Sequence, residues 1–297
     1  MQQRSIRFWS EDVECAGTLY LPETLSPAHT APAVVLGHGT ASVKEMHLPS
    51  FARHFVEAGL IALAIDYRFL GESGGEPRQT VNPRAQAEDM RNAMSWLEQQ
   101  PEVDANRIGI WGTSAGGGVV LHVAALDQRV KAVVAQIPGI SFWRYLTSAF
   151  PADATRLRDL WTEERRRLSQ GEIPRRIKIT APAGEQSALG PGGLQWHERL
   201  EREIPTFHNE FTMLSLDHLA NFDGGAFIDL IAPTLLLMIF ADQDELIPLS
   251  VNQAYFERAG EPKQLLTYHG NHYAAYDEPE VHTFAAWAAR DWFLKYL

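Results

Sequence analysis

Apolar residues along this chain fall into two kinds of run that alternate. Side chains repeat every second residue across a strand and every 3.6 residues around a helix, so the spacing separates the two. Ile6 and Phe8, then Val13, Leu19 and Leu21, predict two strands joined by a turn at Glu11-Asp12. Short strand-like runs occupy 33–36, 60–65, 130–137, 234–240 and 264–268, and Ile108, Ile110 and Trp111 form another. Helical spacing marks 48–58 (Phe51, Phe55, Val56), closing at Gly59, and 83–99 (Met90, Ala93, Met94, Leu97). Further helices are expected at 249–258 and 279–296. Residues 22–32 read as loop. Continuous apolar strands alternating with helices imply right-handed crossovers and a mostly parallel sheet covered on both faces.

The alternation breaks between 141 and 231, where no buried strand stands out. Charged helical segments occur at 153–170 and 196–203, around a patch rich in proline and glycine (Pro182, Gly184, Gly190, Pro191, Gly192, Gly193). Aromatics are frequent there, among them Phe142, Trp143, Phe150, Trp161 and Trp196. This much apolar surface must pack on something, so the segment reads as a helical insertion rather than a linker. The expected division is a core of 1–140 and 232–297 with an inserted cap of 141–231.

The stretch that organises the chain is Gly112-Thr113-Ser114-Ala115-Gly116. It follows a strand-like run and precedes a helical run of small residues. The form G-x-S-x-G predicts a sharp strand-to-helix turn that lifts a serine hydroxyl clear of the backbone. Gly112 and Gly116 provide the room that such a turn needs. The Ala115 N–H, in the first helical turn, is a candidate oxyanion donor. A chain of this composition carries the pattern by chance with a probability of roughly 0.1, so partners decide its meaning.

A serine needs a base, and the base needs an orienting acid. After the strand-like run 234–240 comes Ala241-Asp242-Gln243-Asp244-Glu245. Asp244 is the expected acid, with Asp242 second and Glu245 third. After 264–268 comes His269-Gly270-Asn271-His272, where His272 is the expected base and His269 a structural residue. His38-Gly39-Thr40 follows the strand 33–36. The Thr40 N–H is the expected second oxyanion donor, with Ala41 behind it. Phe142 and Trp143 follow 130–137 by a few residues and either line the pocket or belong to the core.

Composition narrows the function further. A net charge of −11 argues against a nucleic-acid surface and against docking on anionic lipid. The arginines at 165–167 and 175–176 read as solvated faces. Cys15 is the only cysteine, which excludes a disulfide framework and a thiolate metal site. His47 and His54 lie seven residues apart without the carboxylate spacing of a metal site. Gly71-Glu72-Ser73-Gly74-Gly75-Glu76-Pro77 lacks the ending of a phosphate loop. No metal and no cofactor are expected. The first residues carry no apolar signal core and no run spans a bilayer, so a cytoplasmic setting is expected. The expected partner is a small-molecule substrate, and a homodimer is compatible with the composition.

With these residues assembled, the chain resembles the α/β-hydrolase superfamily. More narrowly it is similar to the dienelactone-hydrolase-like group, with YcjY-type bacterial hydrolases and fungal polyketide transferases or thiohydrolases. The resemblance rests on GHGTASVKE, AIDYRFLGESGGEPR, VDANRIGIWGTSAGGG, ADQDELIP and GNHYAAYDE. It implies an α/β-hydrolase fold, a catalytic role for Ser114, Asp244 and His272, and a cap over the site. Some relatives carry cysteine as nucleophile, whereas this chain has Ser114. Ala241 stands where glycine is common.

The expected function is therefore a cofactor-independent serine hydrolase cleaving an ester or thioester of a small, apolar or aromatic substrate. Two alternatives remain: acyl transfer from a carrier-bound acyl group, and a catalytically silent hydrolase fold used for binding.

Overall fold

The computed structural model describes residues 1–297 other than Thr24, 26–29 and Phe150. Part of the expected loop at 22–32 and one insertion aromatic thus lie outside the described residues.

The hairpin of β1 (Gln2–Ser10) and β2 (Val13–Leu21) turns at Glu11, whose φ is 55°. Then follow β3 (Ala31–Gly37), α1 (Leu48–Glu57), β4 (Ile61–Ile65), α2 (Pro83–Leu97), β5 (Val103–Thr113), α3 (Ala115–Leu126) and β6 (Val130–Gln136). Helix α2 starts where the sequence directs it. Pro83 occupies its first turn, and the Asn82 side chain accepts from the Arg84 and Ala85 N–H groups. The segment between β6 and the next sheet strand contains α4 (Phe142–Ala149), α5 (Pro151–Ser169), β7 (Arg176–Lys178), α6 (Leu194–Glu203), β8 (Glu210–Thr212) and α7 (Leu214–Ala220). The chain closes with β9 (Leu235–Ala241), α8 (Leu249–Arg258), β10 (Lys263–Tyr268), α9 (Ala274–Asp277) and α10 (Pro279–Tyr296).

The sheet order is β1-β2-β4-β3-β5-β6-β9-β10. From β4 to β10 every pairing is parallel, and β2 runs antiparallel to both neighbours. Strand β3 lies between β4 and β5. The chain leaves β3 toward one edge and returns on the other side of it. Such a reversal opens a crevice at the C-terminal ends of β3 and β5. Alternation along β3 divides the core. Ala33 and Val35 face the layer with α2 and α3, while Val34 and Leu36 face the layer with α1 and α10. Each of these buried Val and Leu side chains contributes about 1.5–3 kcal/mol.

The segment after β6 builds a third apolar cluster from Leu157, Trp161, Ile177, Phe207, Phe211 and Leu216, joined by Ala41, Val43 and Met46 from the loop after β3. It therefore rests on the loop that carries Thr40. Two short strands here correct the sequence reading: β7 and β8 pair antiparallel, Ile177 opposite Phe211. Three residues are too few to display alternation. Farther along, Ile228 and Ile231 pack with the α2 and α3 layer. Among the described residues, no helix is long and apolar enough to cross a membrane.

Candidate active site

Ser114 sits at the β5–α3 turn with φ 53° and ψ −126°, a conformation that costs a non-glycine residue about 1–3 kcal/mol. Close packing holds it there. A Cβ on Gly112 would lie 2.2 Å from the Gly116 carbonyl oxygen, and one on Gly116 would lie 2.4 Å from that of His38. The Ser114 N–H donates to the Gln136 carbonyl (3.0 Å), and its own carbonyl accepts from Gly117 (2.8 Å) and Gly139 (2.6 Å).

His272 Nε2 lies 3.1 Å from Ser114 Oγ, and His272 Nδ1 lies 2.7 Å from Asp244 Oδ2. The carboxylate only accepts, so Nδ1 carries the proton and Nε2 is left to accept from the serine hydroxyl. The other Asp244 oxygen accepts the Leu246 and Ile247 N–H groups at 2.9 and 2.8 Å. The side chains of His272 and Asp244 are 5% and 4% exposed. Asp242 instead faces His269 at 2.9 Å and accepts from the Gly270 N–H at 3.0 Å. The His269 side chain is 78% exposed. Glu245 is exposed at the cavity rim.

Thr40 and Ala115 line the same cavity as Ser114. Ala115 opens α3, so its N–H has no intrahelical acceptor. Gly39 brings the β3 loop close: a Cβ there would lie 3.2 Å from Ser114 Cβ. His38 is buried, which pushes its imidazole down to about 4, and it stays neutral against the Gly39 carbonyl. Asp66 ties the surrounding loops together. Its carboxylate accepts from the backbone N–H groups of Lys44 (2.7 Å) and Glu72 (3.0 Å). Lys44 Nζ reaches both Asp66 (2.9 Å) and Glu72 (2.7 Å). A Cβ on Gly71 would collide with that carboxylate at 2.3 Å, so this glycine-rich stretch is a packed brace for the site.

A cavity of ≈ 450 Å³ opens beside Ser114 between α4, α5 and the 185–192 segment. Its apolar wall includes Phe142, Tyr145, Leu146, Leu157, Phe211 and Leu219. Of the two positions left open between pocket and core, Phe142 lines this cavity. Trp143 does not line the cavity; it packs on Trp161 with ring centroids 5.6 Å apart. Adjacent residues on a helix point about 100° apart, and here that turn carries Trp143 toward Trp161 of α5. A second compartment of ≈ 50 Å³ shares Thr40, Ser114, Leu189, Leu246 and His272 with the first. His47, Trp196, Tyr273 and Tyr276 close it. Sequence reasoning missed these four as lining residues, because they come from separate stretches of the chain with no spacing in common. His47 packs against both Trp196 and Tyr276, which also meet each other at 5.7 Å, whereas His54 faces His282 at 5.7 Å, so the two histidines do not converge.

The fold places the chain in the α/β-hydrolase superfamily. A family model described as X-Pro dipeptidyl-peptidase (S15 family) matches residues 13–273, and the chain belongs to that family. A thiohydrolase of Eupenicillium brefeldianum is 30% identical over 80% of this chain and 78% of its own. A quorum-quenching protein of Acinetobacter baumannii is 34% identical over 62% of this chain, an alignment that spans 60% of that relative. The crystal structure of the α/β hydrolase GrgF from Penicillium superposes with a TM-score of 0.84 at 25% identity, covering 100% of this chain and 99% of that one.

Proposed function

We propose that the chain is a serine hydrolase that cleaves an ester or thioester of a small, apolar or aromatic acid through an acyl-enzyme on Ser114. The observation that carries this reading is the line from Asp244 through His272 to Ser114 Oγ, at 2.7 and 3.1 Å, beside an apolar cavity. His272 takes the hydroxyl proton as Oγ attacks the acyl carbon. The Thr40 and Ala115 N–H groups hold the oxyanion. The bond to the alcohol or thiol breaks, and His272 returns the proton to that leaving group. Water then attacks the acyl carbon, gives its proton to His272, and the bond to Oγ breaks with the proton restored to it. The thiohydrolase relatives support the thioester arm of the reading. The lone Cys15 fits a reducing, cytoplasmic setting.

Intact-mass measurement after a fluorophosphonate probe, and after methyl esters and S-ethyl thioesters of graded acyl length, tests the reading. One adduct on Ser114, absent in Ser114→Ala, is expected together with turnover of the longer acyl chains. Turnover confined to an X-Pro dipeptidyl amide would replace it by a peptidase. No adduct and no turnover would leave the fold without this chemistry.

A further inference from the structure

The two compartments at Ser114 differ about ninefold in volume, ≈ 450 against ≈ 50 Å³. Leu189 and Leu246 stand in both walls, together with Thr40, Ser114 and His272, so the two compartments meet at the serine and imidazole. One water-sized group needs roughly 10–15 Å³, so the small side holds about three to five such groups. Its walls resist expansion. The His47 ring stacks on Trp196 (4.9 Å, 21°) and on Tyr276 (4.3 Å, 25°), and the Tyr276 hydroxyl is fixed to Thr113 Oγ1 at 2.5 Å. Burial pushes His47 down to about 3, so the stack stays uncharged. Trp196 and Tyr273 also line an open groove on the outer surface, and they stand between that groove and the small compartment.

Resting on the acyl-enzyme reading above, we propose that the small compartment receives the alcohol or thiol half of the substrate, and that Trp196 sets its upper size. The apolar acid then occupies the large cavity. The leaving group is limited to about one to three carbons, and the water of the second step follows it into the same space beside His272. Trp196 is thus a specificity-determining residue for the leaving group. A stacked ring cannot withdraw to admit a longer chain without losing its aromatic contacts. Esters of bulky acids with small alcohols are the substrate class that fits both spaces at once.

Two isomeric esters separate the assignments: methyl octanoate puts its length in the acid, heptyl acetate in the alcohol. Methyl octanoate should have the higher kcat/KM by about tenfold or more, since one misfit methylene alone changes rates by 10–200-fold. Trp196→Ala should open the compartment toward the outer groove and raise the hexyl-to-methyl octanoate ratio of kcat/KM about tenfold, while Trp196→Phe should hold it near that of the unmodified protein. Equal or better use of heptyl acetate, with an acetyl adduct on Ser114, would overturn the assignment and leave the acyl-enzyme intact. A hexyl-to-methyl ratio unmoved in a folded Trp196→Ala would remove Trp196 as the gate. If that variant does not fold, the isomer pair on the unmodified protein still decides which compartment takes the alcohol. Absence of turnover and of any acyl adduct with both esters would instead sink the underlying reaction.

Discussion

Asp242 and Asp244 are two residues apart, yet they hold different histidines. Asp244 points inward to His272 at 2.7 Å, and Asp242 points outward to the exposed His269 at 2.9 Å. The His269 bond and the Gly270 N–H hold the Asp242 carboxyl below the usual carboxylate range, a local surface matter. Only the Asp244 pair is shielded from water, where orientation of an imidazole matters most. Asp244→Asn should therefore lower kcat by about 10⁴-fold, as loss of a triad acid does elsewhere. Asp242→Asn should stay within a few-fold. Steady-state kinetics of both variants on one ester checks this, and a reversed order would move the acid to Asp242.

Ser114 and His272 come from loops 158 residues apart and meet at 3.1 Å. Groups that act as one unit lose nearly everything when either is removed. Ser114→Ala and His272→Ala should each reduce turnover on the order of 10⁶-fold, and the double variant should lose little more. Additive losses in the double variant would mean that the two side chains act separately. The measurement requires enough enzyme to detect a residual rate against the buffer blank.

Much of this was legible in the chain, and the reason is local chemistry. The G-x-S-x-G turn is written in its glycines, since no Cβ fits at Gly112 or Gly116. Asp244 and His272 each follow a strand whose apolar run is plain. What stayed hidden depends on how distant loops meet. Nothing in the run from Glu185 to Gly192 announces that Leu189 stands in the walls of two compartments. Trp196 and His47 have no spacing in common, and they stack because α6 and the loop before α1 approach in space. The glycine-rich stretch beginning at Gly71 was legible as a loop, but its role around Asp66 was not.

Three histidines make stability depend on acid. Burial pushes His38 and His197 down to about 4 and His47 to about 3. Unfolding returns each to an ordinary value near 6.5, so below that pH the unfolded chain binds protons that the folded chain refuses. The stabilisation is whole above about pH 6.5 and falls as pH drops toward about 4. For His38 the full loss is on the order of 3 kcal/mol. Urea midpoints should fall steadily from pH 7 to pH 4.5, and His38→Gln should flatten part of the slope. A midpoint that does not move over this interval would mean that these imidazoles are already solvated.

Phe142 and Trp143 provide the last test, because adjacent positions on one helix carry opposite expectations. Phe142 faces the cavity beside Ser114, so Phe142→Ala enlarges the apolar wall and removes contact with the acyl chain. It should lower kcat/KM for long acyl chains about tenfold, mainly through KM, and leave acetyl esters nearly unchanged. Trp143 turns away and meets Trp161 of α5 edge-to-face. Its loss should destabilise the α4–α5 contact by about 1–3 kcal/mol and leave kcat/KM for every acyl length where it was. Thermal melts and an acyl-length series on the two variants decide between the roles. A Trp143→Ala enzyme with altered chain-length preference would place that ring against substrate after all. A Phe142→Ala enzyme with an unaltered profile would move the acyl chain out of the large cavity.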